Sequence, residues 1–124
     1  MSNAKKEILS PAHLESVARL FAVLSEPNRL AVLQALHDGP LSVTELVRLC
    51  SIKQANVSKH LSILHDHHLV RRRRLGASVH YEIADPMIFT LCRLVCGKME
   101  KDARQDIALF GRAGGPVAAR GKHA

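Results

Sequence analysis

Hydrophobic positions along this chain repeat with two different periods. From Pro11 to Leu24, the residues Leu14, Val17, Ala18, Phe21 and Leu24 recur at helical spacing, which predicts an amphipathic helix. Ser10 ahead of Pro11 supplies a cap and a first-turn proline. Ser25-Glu26-Pro27 interrupts that helix. A second runs from about Pro27 to His37 with Leu30, Val32, Leu33 and Leu36 inward, and Asp38-Gly39-Pro40 ends it. Ser42 or Thr44 can cap a short third helix through Val43, Leu46, Val47 and Cys50. After a turn at Cys50-Ser51-Ile52, a fourth helix extends from Lys53 or Gln54 to about His67. Val57, His60, Leu61 and Leu64 fall on one side of it; Ala55, Asn56, Ser58, Lys59 and Ser62 fall on the other.

Beyond Leu69 the period changes to two. Arg71 to Arg74 precede Leu75-Gly76-Ala77, and then Val79, Tyr81 and Ile83 alternate with Ser78, His80 and Glu82. Period two with a glycine-containing turn predicts a β-hairpin. Asp85-Pro86 opens a last helix carrying Ile88, Phe89, Leu91, Cys92, Val95, Cys96 and Met99. The stretch ending GRAGGPVAARGKHA reads as a flexible basic tail. The expected organisation is a loose segment 1–9, one domain over 10–102 and a tail over 103–124. The expected fold is mainly α with a β-hairpin wing, in the order α-α-α-α-β-β-α.

Composition changes this picture in two ways. With 124 residues, 3% aromatic content and no Trp, one domain must build its core from aliphatic side chains, which suits helix packing. The 18 Lys+Arg against 11 Asp+Glu leave a net charge of +7, which suits a polyanionic partner. Charge alone does not separate that partner from mere solubility; its concentration at Arg71 to Arg74 does. No apolar run has the roughly 18–20 residues that span a bilayer, and the N-terminus lacks the apolar segment of a secretory signal. Three Cys without an export signal point to reduced thiols and a cytoplasmic location, with no membrane partner.

Two short helices, a tight turn and a polar outer face on the second match a helix-turn-helix. Gln54 and Asn56 can pair with adenine edges, Lys59 can reach guanine or phosphate, and Ala55 can meet a thymine methyl. Ser58 and Ser62 complete a face small enough for close approach to double-stranded DNA. Arg72, Arg73 and Arg74 of the wing, with His80 on its second strand, are expected to contact the flank of the site. His60 faces inward and is expected to pack or bond to backbone rather than read bases.

The stretch FAVLSEPNRLAVLQAL, followed by LSVTELVRLCSIKQANVSKHLSILHDHHLVRRRRLGASVHYEIAD, resembles the ArsR/SmtB family of bacterial metal- and stress-responsive repressors. The resemblance rests on Leu24-Ser25-Glu26-Pro27 through Arg29-Leu30, on Val57-Ser58-Lys59-His60-Leu61 with Leu64, on Leu69-Val70 and on His80-Tyr81-Glu82-Ile83. It covers residues 14–100. It implies a winged helix-turn-helix homodimer formed by the first and last helices, a palindromic operator, and an inducer that lowers DNA affinity.

The resemblance also implies where a metal would sit. The family's thiolate site, at the start of the third helix, falls on Ser42, Thr44 and Val47, which cannot replace thiolates for a soft ion. Its last-helix site falls on Asp85, Met87, Lys98 and Lys101, one carboxylate beside two ammonium groups, so Asp85 is read instead as the N-cap of that helix. Cys92 and Cys96 remain as the candidate inducer site. Four residues apart, they share one helical face, and a dimer would bring up to four thiols together. Arsenite, antimonite, cadmium, oxidation or persulfide formation would suit them, and no cofactor is required. Cys50 is expected in the core, and His65 to His68 at a solvated helix end. Two other readings are an ArsR-like repressor without a metal ligand and a winged-helix protein-interaction module with structural cysteines. No CxxC, phosphate loop or nucleophile elbow favours an enzyme.

Overall fold

Capping sets where the helices begin. In the computed structural model, which describes residues 8–110, helix α1 (Pro11–Leu24) starts at Ser10, whose hydroxyl accepts the His13 amide at 3.1 Å. Helix α2 (Pro27–Ala35) is capped by the Glu26 carboxylate, which accepts the Asn28 and Arg29 amides at 2.7 and 3.3 Å. The chain then tightens into a 3₁₀ turn over Leu36–Asp38, where an α-helix was expected as far as His37, and stops at Gly39, whose φ of 142° suits only glycine. Helix α3 (Val43–Cys50) opens on a reciprocal capping box: the Ser42 hydroxyl accepts the Glu45 amide, and the Glu45 carboxylate accepts the Ser42 amide. Ser51, in the left-handed region at φ 56°, closes α3 and turns the chain into helix α4 (Gln54–Asp66).

The wing consists of β2 (Val70–Leu75) and β3 (Ser78–Ile83), joined by Gly76-Ala77. Only Gly76 of the pair has positive φ, the pattern of a type II′ hairpin turn. A two-residue strand, β1 (Leu41–Ser42), absent from the expected element order, pairs with the far side of β3 and gives the sheet the order β1-β3-β2. Two residues are too few to carry a period. Helix α5 (Met87–Phe110) completes the chain.

The core joins α2, α3, α4 and β2, with Val32, Leu33, Leu36, Leu46, Val57 and Leu64 essentially inaccessible. Leu30, expected inward, is 38% exposed. The predicted stripe on α1 is not core either: Leu14, Ala18 and Phe21 are exposed, Val17 and Leu24 are half-buried, and Val23 is the buried residue. The chain divides into two compact units, one ending at Asp85 and one starting at Pro86. In the second, α5 extends past the expected end of the domain: residues 103–110, expected in the tail, are helical, while 111–124 lie outside the described residues. Of the expected loose segment 1–9, Ile8 and Leu9 are described, both non-helical and exposed. Helix α5 begins at Met87, and the Pro86 carbonyl accepts the Phe89 amide at 3.0 Å. Among the described residues no helix is long and apolar enough to cross a membrane.

Candidate nucleic-acid interface

Helices α3 and α4, with the turn between them, form the helix-turn-helix. The turn is held from inside by Ile52, which is buried, and by the Ser51 amide donating to the Val47 carbonyl at 3.0 Å. On α4, Val57, His60, Leu61 and Leu64 are buried as expected. Gln54, Ala55, Asn56, Ser58, Lys59 and Ser62 are all exposed and share the outer side. Lys53 occupies the cap position without a side-chain hydrogen bond, and its carbonyl accepts the Asn56 and Val57 amides, both at 3.0 Å.

Strand alternation sorts the arginine run onto two faces. Arg71 and Arg73 share a face with Glu82: Arg71 Nε donates to Glu82 Oε2 at 2.8 Å and Arg73 Nη1 to Oε1 at 2.9 Å. These two hydrogen bonds hold the Glu82 carboxyl below the usual carboxylate range. Arg72 and Arg74 project from the opposite face, paired across the ladder with Tyr81 and Val79. Among the described residues neither has an ion-pair partner. An open hollow of about 570 Å³ is lined by these two arginines, Arg73, Val79, Tyr81 and Val43 of the first turn of α3. The three expected wing arginines are therefore not equivalent: Arg72 and Arg74 are free cations, whereas Arg73 is already paired.

His80 stands opposite Ser42 of β1 and Arg73 of β2, half-buried, with its Nδ1 atom enclosed and unbonded among the described residues. On the adjoining capping box, the hydrogen bond from the Ser42 backbone lowers the Glu45 carboxyl pKa, with the Ser42 hydroxyl and Arg48 adding to it. His60 is buried, as the packing alternative expected, and its Nδ1 lies 3.2 Å from a side-chain donor, Arg29 Nη1, not a backbone group. Sequence patterning missed Glu26, Arg29, Glu82 and Tyr81. Glu82 had a visible signal, since opposite charges on paired strands attract, but the register that pairs them had to be known first.

The expected metal positions offer no donor set. The Ser42 hydroxyl is used in its capping box, and Lys98 is ion-paired to Asp102 at 2.6 Å. Among the described residues no three His, Cys, Asp or Glu side chains come together as ligands. Cys50 is half-buried, its thiol donates to the Ala31 carbonyl at 3.7 Å, and burial pushes its pKa up, away from the thiolate. Cys92 is half-buried and Cys96 exposed, both free.

A family profile described as a helix-turn-helix domain matches residues 24–73. The chain is 32% identical, over 95 residues, to a transcriptional repressor SmtB homolog of Synechocystis, covering 77% of this chain and 72% of that protein. The structure of an antimony-specific transcriptional repressor superposes with a TM-score of 0.66 at 32% identity, over 79% of this chain and 89% of that one. A homodimeric winged helix-turn-helix DNA-binding domain from Mycobacterium bovis, described as a possible ArsR-family regulator, superposes at 0.63 with 28% identity, over 74% and 91% of the two chains.

Proposed function

The chain belongs to the ArsR/SmtB family of winged helix-turn-helix transcriptional repressors, and from that membership we propose that it represses transcription by binding duplex DNA as a homodimer. In this reading the outer face of α4 lies in the major groove. Gln54, Asn56 and Lys59 read base edges, Ala55, Ser58 and Ser62 permit close approach, and the Arg72 and Arg74 face of the wing meets flanking phosphates. Arg73 and His80 support the wing from its other face. The observation that carries the reading is the sharp division of α4, buried on one side and polar and exposed on the other. A twofold dimer matches a palindromic operator, because two identical helices read two identical half-sites.

The finer reading is that Cys92 and Cys96 take a thiol-reactive inducer, a soft ion such as arsenite, antimonite or cadmium or an oxidant, which releases the operator. One chain brings two thiols on one face of α5, so a site with more donors needs the second copy. Three free thiols accord with a reducing, cytoplasmic setting.

The test is duplex binding by the whole chain against salt, with Lys59→Ala beside it. Affinity should fall steeply as salt rises, and the substitution should cost about tenfold and alter sequence preference. A Lys59→Ala protein that binds like the parent removes α4 from the groove, and no attraction to any duplex at low ionic strength removes the function.

A further inference from the structure

Among the described residues the one buried polar or charged side chain is His60, on the inward side of α4. Its Nδ1 faces Arg29 Nη1 at 3.2 Å. A guanidinium has donors and no acceptor, so Nδ1 must present its lone pair, and the proton of the neutral ring sits on Nε2. Nε2 in turn points toward Glu26 Oε1, 3.8 Å away. Neither partner is loose. Arg29 Nε donates to the Val23 carbonyl at 2.6 Å, and the Glu26 carboxylate already caps α2 through the Asn28 and Arg29 amides. The last turn of α1, the first turn of α2 and the middle of α4 thus meet at one imidazole.

We propose that the Arg29–His60 hydrogen bond sets the seating of α4, so that the grip on DNA requires His60 to stay neutral with its Nδ1 lone pair toward Arg29. The inference rests on the DNA-binding reading and deepens it: Arg29 and His60 are positioning residues that touch no DNA themselves. Protonation places an N–H against an N–H at the Arg29 contact, and draws Nε2 toward Glu26 instead. Burial opposes that protonation first, Arg29 and Lys59 add to the opposition, and Glu26 favours it. These three are the charges His60 experiences among the described residues; α3 and β2, which also pack on α4, contribute none. The sign is distinctive: a general gain of positive charge strengthens attraction to a polyanion, whereas a charge on His60 weakens the grip.

Two substitutions separate positioning from packing. His60→Asn keeps an acceptor near the place of Nδ1 and cannot titrate, whereas His60→Leu fills the site without an acceptor. Duplex affinity is measured for the whole chain at constant ionic strength between about pH 7.5 and about pH 5.5, with thermal unfolding to confirm the fold. At the upper pH, His60→Asn should bind within about twofold of the parent and His60→Leu about tenfold more weakly, the equivalent of one charge-assisted hydrogen bond lost. On acidification the parent should lose about tenfold relative to His60→Asn. A folded His60→Leu protein with parental affinity, or identical pH profiles for parent and His60→Asn, overturns the proposal. A second measurement needs neither variant nor DNA: imidazole ¹⁵N shifts of the free protein at neutral pH should show Nδ1 unprotonated and Nε2 protonated. The reverse tautomer overturns the positioning role while leaving DNA binding intact, whereas absence of duplex binding by every protein overturns both.

Discussion

Neighbouring arginines on β2 differ in function because a strand turns successive side chains to opposite sides. Arg71 and Arg73 are tied to one carboxylate, while Arg72 and Arg74 stand over the hollow with their charge unopposed. Arg72→Ala and Arg74→Ala should each weaken duplex binding by about tenfold and reduce the magnitude of the salt slope by about one. Arg73→Ala should do distinctly less, since its charge is already offset; equal effects from all three would refute the division. The Glu82 clamp has its own pH signature. Its carboxyl pKa is lowered in the folded chain, so the clamp's contribution to stability is complete above the ordinary carboxylate range and is lost as pH falls through the lowered value. For His60 the direction is opposite in cause but similar in outcome. Its pKa is lowered by burial, so the unfolded chain binds the proton more readily, and stability declines as pH falls below the ordinary histidine value of about 6.5. Glu26 and Arg29 illustrate what a linear pattern omits: each looks like a residue beside a helix break, and only folding brings them to a histidine some thirty positions away.

Helix α1 shows the limit of periodicity at the scale of elements. The 3.6-residue pattern is real and the helix forms, yet Leu14, Ala18 and Phe21 face out of the single chain, Phe21 at 54% exposure. Helix α5 likewise exposes Leu94, Val95 and Met99. Periodicity reports that a face is apolar and does not report what covers it. In the homodimer reading, the cover is a second copy of this chain. Phe21→Glu should then weaken self-association by about a hundredfold, as loss of a buried aromatic anchor does, measured by sedimentation against concentration. Unchanged association would take α1 out of the interface. Caps were easier to read: Ser10, Ser42 and Gly39 act where the residue types suggested, because the first and last turns of a helix are satisfied locally. Strand β1 and the helical residues 103–110 were not read, since one depends wholly on a partner strand and the other lacks an obvious apolar stripe.

In the proposed function, repression and its release depend on two copies, since one chain supplies one recognition helix and two α5 thiols. If those thiols are the inducer site, arsenite, cadmium or an oxidant should release DNA from the parent and leave the Cys92→Ser protein bound at least about tenfold better. Equal release from both proteins would take Cys92 out of the response. The sequence by itself determined the local features: the helix-turn-helix, the division of α4 into inner and outer sides and the glycine turn of the wing. Each of these depends on neighbours a few positions apart, where helix and strand periods dictate which side chains share a face. Tertiary structure alone decided which arginines of the wing are free, which partner His60 has and which apolar stripes lie outside the core. Those outcomes depend on strand register and on contacts between distant segments, which no local period encodes.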